Sequence, residues 1–136
     1  MMVYFDTNVW VYAFSKNVDS EEQKSLAIKY IEAAMKDETI VVSEVILCEM
    51  AFILQKLEES QDNIDERLSF LSEYVKTVDV RVHQRMIEIL KETNLYGSSF
   101  DVYHLAFSEY YQAKLVTFDK GFKKLKNNTK IKIIIL

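Results

Sequence analysis

The sequence predicts a single α/β domain with helices on both faces of a parallel sheet. Three observations carry this. Short apolar or β-branched runs alternate with longer segments of helical period almost throughout, the pattern of βα units closing into a parallel sheet. The chain has no proline and only two glycines, Gly97 and Gly121, so its elements follow one another through short turns. Two of the strands lead into an aspartate, at the edge where open α/β sheets bind ligands.

In order, residues 2–5 read as a short buried strand and 8–14 as the first turns of a helix. Ser20 with Gln23 is a capping-box signature. Behind it, Leu26, Ala27, Tyr30, Ile31, Ala34 and Met35 recur on one helical face. Residues 39–42 are all β-branched and read as a second strand, and Ser43 is an N-cap for a long helix over 44–58. Asn63 with Glu66 suggests another capping box, opening a helix that carries Leu68, Leu71 and Val75. Residues 77–80 are expected to form a third short strand and 82–93 a helix, with Gly97 ending that region. Ser99 caps a helix over 100–112. Residues 115–118 form a strand, a turn of helix holds Phe122 and Leu125, and 130–136 close the chain as a last strand.

The 136 residues suit one domain, 1–136, without repeat or linker. At 49% hydrophobic and 28% charged, the chain is of globular rather than disordered composition. No apolar run approaches the roughly 20 residues that span a bilayer. The start at Met1, Met2 and Val3 lacks the basic flank of a signal peptide, so no membrane association is expected. Cys48 is the single cysteine, which excludes an internal disulfide and fits a reducing, cytoplasmic setting. A net charge of −4 argues against a general electrostatic nucleic-acid binder, though not against one that meets phosphate through a metal ion or a local basic patch. The lysine-rich stretch 120–132 is the one marked charge bias and reads first as a solvated surface.

Four carboxylates stand in awkward places. Asp6 follows the first strand and Asp119 follows "LVTF". Glu49 shares a helical face with Val45, Ile46, Phe52 and Ile53, where a charge is unusual. Asp101 lies in the first turn of its helix, where the dipole favours an acid. Singly, each could be a turn, cap, dipole or snorkelling residue. Together, the topology brings all four towards one edge, where their repulsion would raise neighbouring pKa values unless cations bind. All-oxygen donors suit Mg²⁺ or Mn²⁺, and phosphodiester hydrolysis is the natural chemistry of such a site.

The set "FDTNVWVYAF", "EVILCEMAF", "SSFDVYHLAF" and "LVTFDKGFKKL" resembles a PIN domain, and more narrowly the single-domain ribonuclease toxins of the VapC type. The likeness extends over essentially the whole chain. It implies a three-layer α/β/α sandwich and an endoribonuclease dependent on one or two Mg²⁺ or Mn²⁺ ions. It implies a metal-holding quartet matched by Asp6, Glu49, Asp101 and Asp119. Thr117 matches the supporting hydroxyl before the last acid, and Asn8 matches the polar residue of the first motif. It further implies RNA as substrate, steered by lysines such as Lys120, Lys123 and Lys124, a small antitoxin as partner, and a homodimer. An RNA-processing nuclease without a toxin role, or a non-catalytic metal- or partner-binding module, would look much the same.

The chain departs from the pattern in the bulk of Trp10, Tyr12 and Phe14, which read as core packing or, alternatively, as a dimer or antitoxin surface. His104 and His83 are given structural or surface roles, Cys48 a place in the core, and Ser98 and Ser99 capping roles. No serine sits in a nucleophile elbow, against a Ser–His–Asp triad. An aspartyl-phosphate phosphatase is disfavoured because Asn8 stands where its second aspartate is needed.

Overall fold

Four strands, β1 (Met2–Phe5), β2 (Thr39–Val41), β3 (Ala113–Thr117) and β4 (Ile133–Ile135), pair in parallel in the order β2-β1-β3-β4. The structure is a computed structural model and describes residues 1–94 and 99–136. The roles expected of Gly97, Ser98 and the Ser99 side chain lie outside the described residues. Successive residues of a strand face opposite sides of its sheet. Val3, Tyr4, Phe5, Leu115, Val116 and Thr117 are nonetheless all buried, so both faces of the central pair are covered. That is the three-layer arrangement the sequence predicts.

Six α-helices are described: α1 (Thr7–Phe14), α2 (Glu21–Asp37), α3 (Glu44–Lys56), α4 (Gln61–Ser72), α5 (Val80–Thr93) and α6 (Ser99–Tyr110). A 3-10 helix over Lys120–Asn128 buries Phe122 and Leu125. Helix α1 packs on α2 and α3, and α3 on α4, while α5 packs on α6 and α6 on β3. Ser20 and Ser43 cap α2 and α3 as expected, accepting the N–H groups of Gln23 and Ile46.

The chain leaves β1 for β2 on one side, then returns past β1 to place β3 on its other side. The crevice between the carboxyl ends of β1 and β3 is therefore a topological switch point, where α/β folds bind ligands.

The structure corrects several local expectations. Helix α4 begins at Gln61, because the Ser60 hydroxyl accepts the Asn63 N–H at 3.2 Å and caps the helix three residues before Asn63. Val75 is not on that helix but makes an isolated parallel bridge to Val42. This pairing satisfies the backbone there, and residues 77–80 form no strand. Instead Asp79 accepts the Arg81 N–H at 2.9 Å and caps α5. Met35 is 49% exposed, since Ala27, Ile31 and Ala34 alone complete the buried stripe of α2. Cys48 is exposed rather than in the core.

Trp10 is fully buried, edge-on to Phe5 at 5.4 Å between ring centroids and tilted over Phe14 at the same separation. Phe14 in turn meets Phe70, with the Arg67 guanidinium 4.9 Å above its ring. Tyr12 points elsewhere. Its ring meets Phe118 and its hydroxyl donates to Asp19 at 2.6 Å.

Candidate active site

Asp6 closes β1 and opens α1 in one residue. Its N–H donates to Val116 O at 2.9 Å, extending the β1–β3 ladder, and its carbonyl accepts the Val9 N–H, the first turn of α1. Its carboxylate is almost fully enclosed. Oδ1 accepts the Thr7 N–H at 2.8 Å, and Oδ2 accepts Thr117 Oγ1 at 2.7 Å and Asn8 Nδ2 at 3.3 Å. Burial raises its pKa; His104, Thr117 and Thr7 hold it back, and Glu49 adds to the rise.

Thr117 and Asn8 knit the two strand ends. Thr117 Oγ1 also accepts the Asp119 N–H at 2.9 Å, and Asn8 Oδ1 accepts the Phe118 N–H at 3.1 Å. Asp119 caps the 3-10 helix through the Gly121 N–H at 2.8 Å. A Cβ at Gly121 would lie 3.0 Å from Asp119 Oδ1, so only glycine leaves that carboxylate where it is.

Glu49 does not sit in the middle of an apolar face, as the helical spacing suggested. The buried stripe of α3 is Ile46, Met50 and Leu54, and Phe52 is 78% exposed. Glu49 lies at the edge of the stripe, half-buried, where Oε1 meets Thr7 Oγ1 at 2.7 Å and His104 Nε2 at 2.9 Å. Burial is the largest single influence on its pKa and pushes it up. The contacts with His104 and Thr7 together outweigh burial and leave it lowered.

Asp101, in the first turn of α6, has its pKa raised to about 6, first by burial and then by Asp119 and Asp6, with Glu49 adding to them and His104 opposing. Asp6, Glu49, Asp101 and Asp119 thus line one cleft of about 290 Å³, with Thr7, Asn8, Val11, Tyr12 and Ile53. Among the described residues, none of the four pairs with a lysine or arginine. Nor are any three Asp, Glu, His or Cys side chains among them drawn close enough to enclose an ion as they stand. The donor chemistry fits a hard divalent cation: four oxygen acids, whose mutual repulsion adds to burial in lifting Asp101. A larger cleft of about 570 Å³ lies elsewhere, between Arg85, Glu109 and Lys130. Its acids already have a cation in Arg85, whose Nε meets Glu109 Oε2 at 2.6 Å and whose Nη1 lies 3.7 Å from Glu92 Oε1.

Lys120, Lys123 and Lys124 are exposed on the 3-10 helix that follows Asp119 and do not line the acid cleft. His83 is exposed, as expected. His104 is the residue the sequence undervalued. It is 1% exposed, its Nε2 touches Glu49, and it lies 3.7 Å from Asp6 Oδ1. Its position one turn after Asp101 was the only signal. Nothing in the sequence disclosed its partner Tyr4, the Ser43 hydroxyl that Tyr4 meets in turn, or the Thr7 hydroxyl on Glu49. No described helix is long and apolar enough to cross a membrane.

The PIN domain family model matches residues 3–128. No curated protein matches the sequence. Among solved structures, the chain is similar to VapBC2 from Rickettsia felis bound to a DNA fragment from their promoter, at TM-score 0.73 and 21% identity over 100% of this chain and 99% of that one. It is similar to a toxin–antitoxin complex from Klebsiella pneumoniae, at 0.69 and 18% over 91% and 90%. It is similar to VapBC-5 from Mycobacterium tuberculosis, at 0.62 and 18% over 99% and 98%. These likenesses are of fold.

Proposed function

The chain belongs to the PIN domain family, and we propose that it is a metal-dependent endoribonuclease that hydrolyses RNA phosphodiester bonds as the toxin of a type II toxin–antitoxin pair. One observation carries the reading. Four carboxylates from separate parts of the chain line a single cleft at the switch point of the sheet, with no described lysine or arginine to neutralise them. Asp6, Glu49, Asp101 and Asp119 would hold Mg²⁺ or Mn²⁺, as one or two ions. Bound there, such an ion neutralises the acids, takes phosphate oxygens as ligands and lowers the pKa of water.

The chain's own residues have separate tasks. Thr117 and Asn8 hold the Asp6 carboxylate between the strand ends. Asp101 retains a proton up to about pH 6 and surrenders it when a cation is taken up. Lys120, Lys123 and Lys124, exposed beyond Asp119, draw in the RNA backbone. The solved neighbours described as toxin–antitoxin complexes support a small antitoxin as partner. A homodimer and a cytoplasmic location complete the reading.

The test is RNA cleavage in Mg²⁺ or Mn²⁺ by Asp6→Asn and Asp119→Asn. Each is expected to abolish metal-dependent cleavage. Undiminished cleavage by both overturns the proposal.

A further inference from the structure

We infer that a buried chain of side chains, Ser43–Tyr4–His104, aims Glu49 into the cleft, with His104 and Tyr4 as positioning residues. The inference rests on the proposed function, in which Glu49 is a metal ligand. The three side chains come from the start of α3, from β1 and from α6, and are 0%, 0% and 1% exposed. Apolar packing at Tyr4 would need no hydroxyl, and polar groups this deep cost free energy unless they are paired. Here they are paired in series. Tyr4 Oη lies 2.8 Å from Ser43 Oγ and 2.6 Å from His104 Nδ1, and Ser43 Oγ accepts the Ile46 N–H at 3.3 Å. The series starts at the N-terminus of α3 and ends on a side chain of that same helix, Glu49.

A carboxylate oxygen only accepts, so His104 Nε2 carries the hydrogen in its 2.9 Å contact with Glu49 Oε1. Thr7 Oγ1 donates to that same oxygen at 2.7 Å. Both donors thus fall on Oε1. Among the described residues Oε2 accepts no hydrogen bond, which leaves it the oxygen free for a cation. A glutamate has three side-chain torsions, and this one is half-buried at a cleft mouth. Without the His104 donor its carboxylate would sample several directions. The imidazole itself is held by Tyr4 through Nδ1 and by the Tyr103 ring at 6.0 Å, so its direction is set before any ligand arrives.

The test uses the full chain and Mn²⁺ alone, titrated by calorimetry, with thermal unfolding as the folding control. His104→Leu removes the donor; His104→Gln restores an amide N–H within reach of Glu49; Tyr4→Phe removes only the hydroxyl. Losing a group that orients a ligand costs about 10–100-fold in metal affinity. A loss in that range is expected for His104→Leu, a smaller one for Tyr4→Phe, and substantial recovery for His104→Gln. Unchanged Mn²⁺ affinity in Tyr4→Phe together with folded His104→Leu overturns the inference. Should His104→Leu not fold, Tyr4→Phe decides by the same criterion. Wild-type chain that binds Mn²⁺ but cleaves no RNA overturns the nuclease reading and leaves the positioning chain intact. Wild-type chain that binds no Mn²⁺ overturns both.

Discussion

Thr117 Oγ1 donates to Asp6 Oδ2 at 2.7 Å, joining the carboxyl ends of the two central strands beneath the acid cleft. Thr117→Val keeps the shape and loses the donor. It also strips Asn8 Nδ2 and the Asp119 N–H of a shared acceptor. The expected cost is about 1–3 kcal/mol, as for other buried groups left unpaired, read by urea unfolding in EDTA. Mn²⁺ affinity should fall as well, because Asp6 loses one of the groups holding its raised pKa back.

Asp101 gives the pH dependence its sign. Its pKa is about 6 in the folded chain, against an ordinary value of 3.8. Between the two the folded state binds more protons, so stability falls as pH rises through this window. Asp101→Asn cannot ionise and avoids that loss. In EDTA at pH 7 it should be more stable than the wild type by about 1 kcal/mol, the shift being discounted for solvent around a half-buried group. At pH 4 the difference should shrink towards zero. Thermal unfolding at the two pH values checks both statements.

Trp10 is the single tryptophan and is fully enclosed by the Phe5, Phe14 and Phe70 rings. Its emission should be blue-shifted and move red on unfolding. Trp10→Ala should cost about 3–5 kcal/mol. A loss below about 1 kcal/mol in denaturant unfolding would place the ring on an interaction surface instead of in the core.

Lys123 and Lys124 are exposed, so reversing them should leave the fold alone. In Lys123→Glu/Lys124→Glu, RNA binding should weaken. The slope of log K against log salt should become shallower by about 0.7 for each phosphate that is no longer neutralised. Fluorescence anisotropy across a salt series reads the slope. An unchanged slope removes these lysines from the substrate path.

Much of the frame was legible in the chain. The β-branched and apolar strands, the Ser20 and Ser43 caps and the strand-end position of Asp6 are local properties, set by near neighbours in sequence. Residues 77–80 misled because β propensity alone cannot say whether a strand edge is free. Val75 takes the bridge to Val42, and Asp79 then starts a helix. Glu49 misled in a similar way. Helical spacing puts it among apolar residues but cannot say which of them face the core, and Phe52 does not.

The sequence by itself determined the parallel α/β architecture and that acids would stand near its carboxyl edge, because periodicity and strand-end placement are carried by adjacent residues. Only the tertiary structure decided how those acids are held. Tyr4 and His104 are 100 residues apart in the chain and 2.6 Å apart at their polar atoms, and Thr7 and Glu49 are 42 apart and meet at 2.7 Å. Such contacts depend on how β1, α3 and α6 pack. Packing is a property of the whole chain, with no counterpart in any short stretch of it.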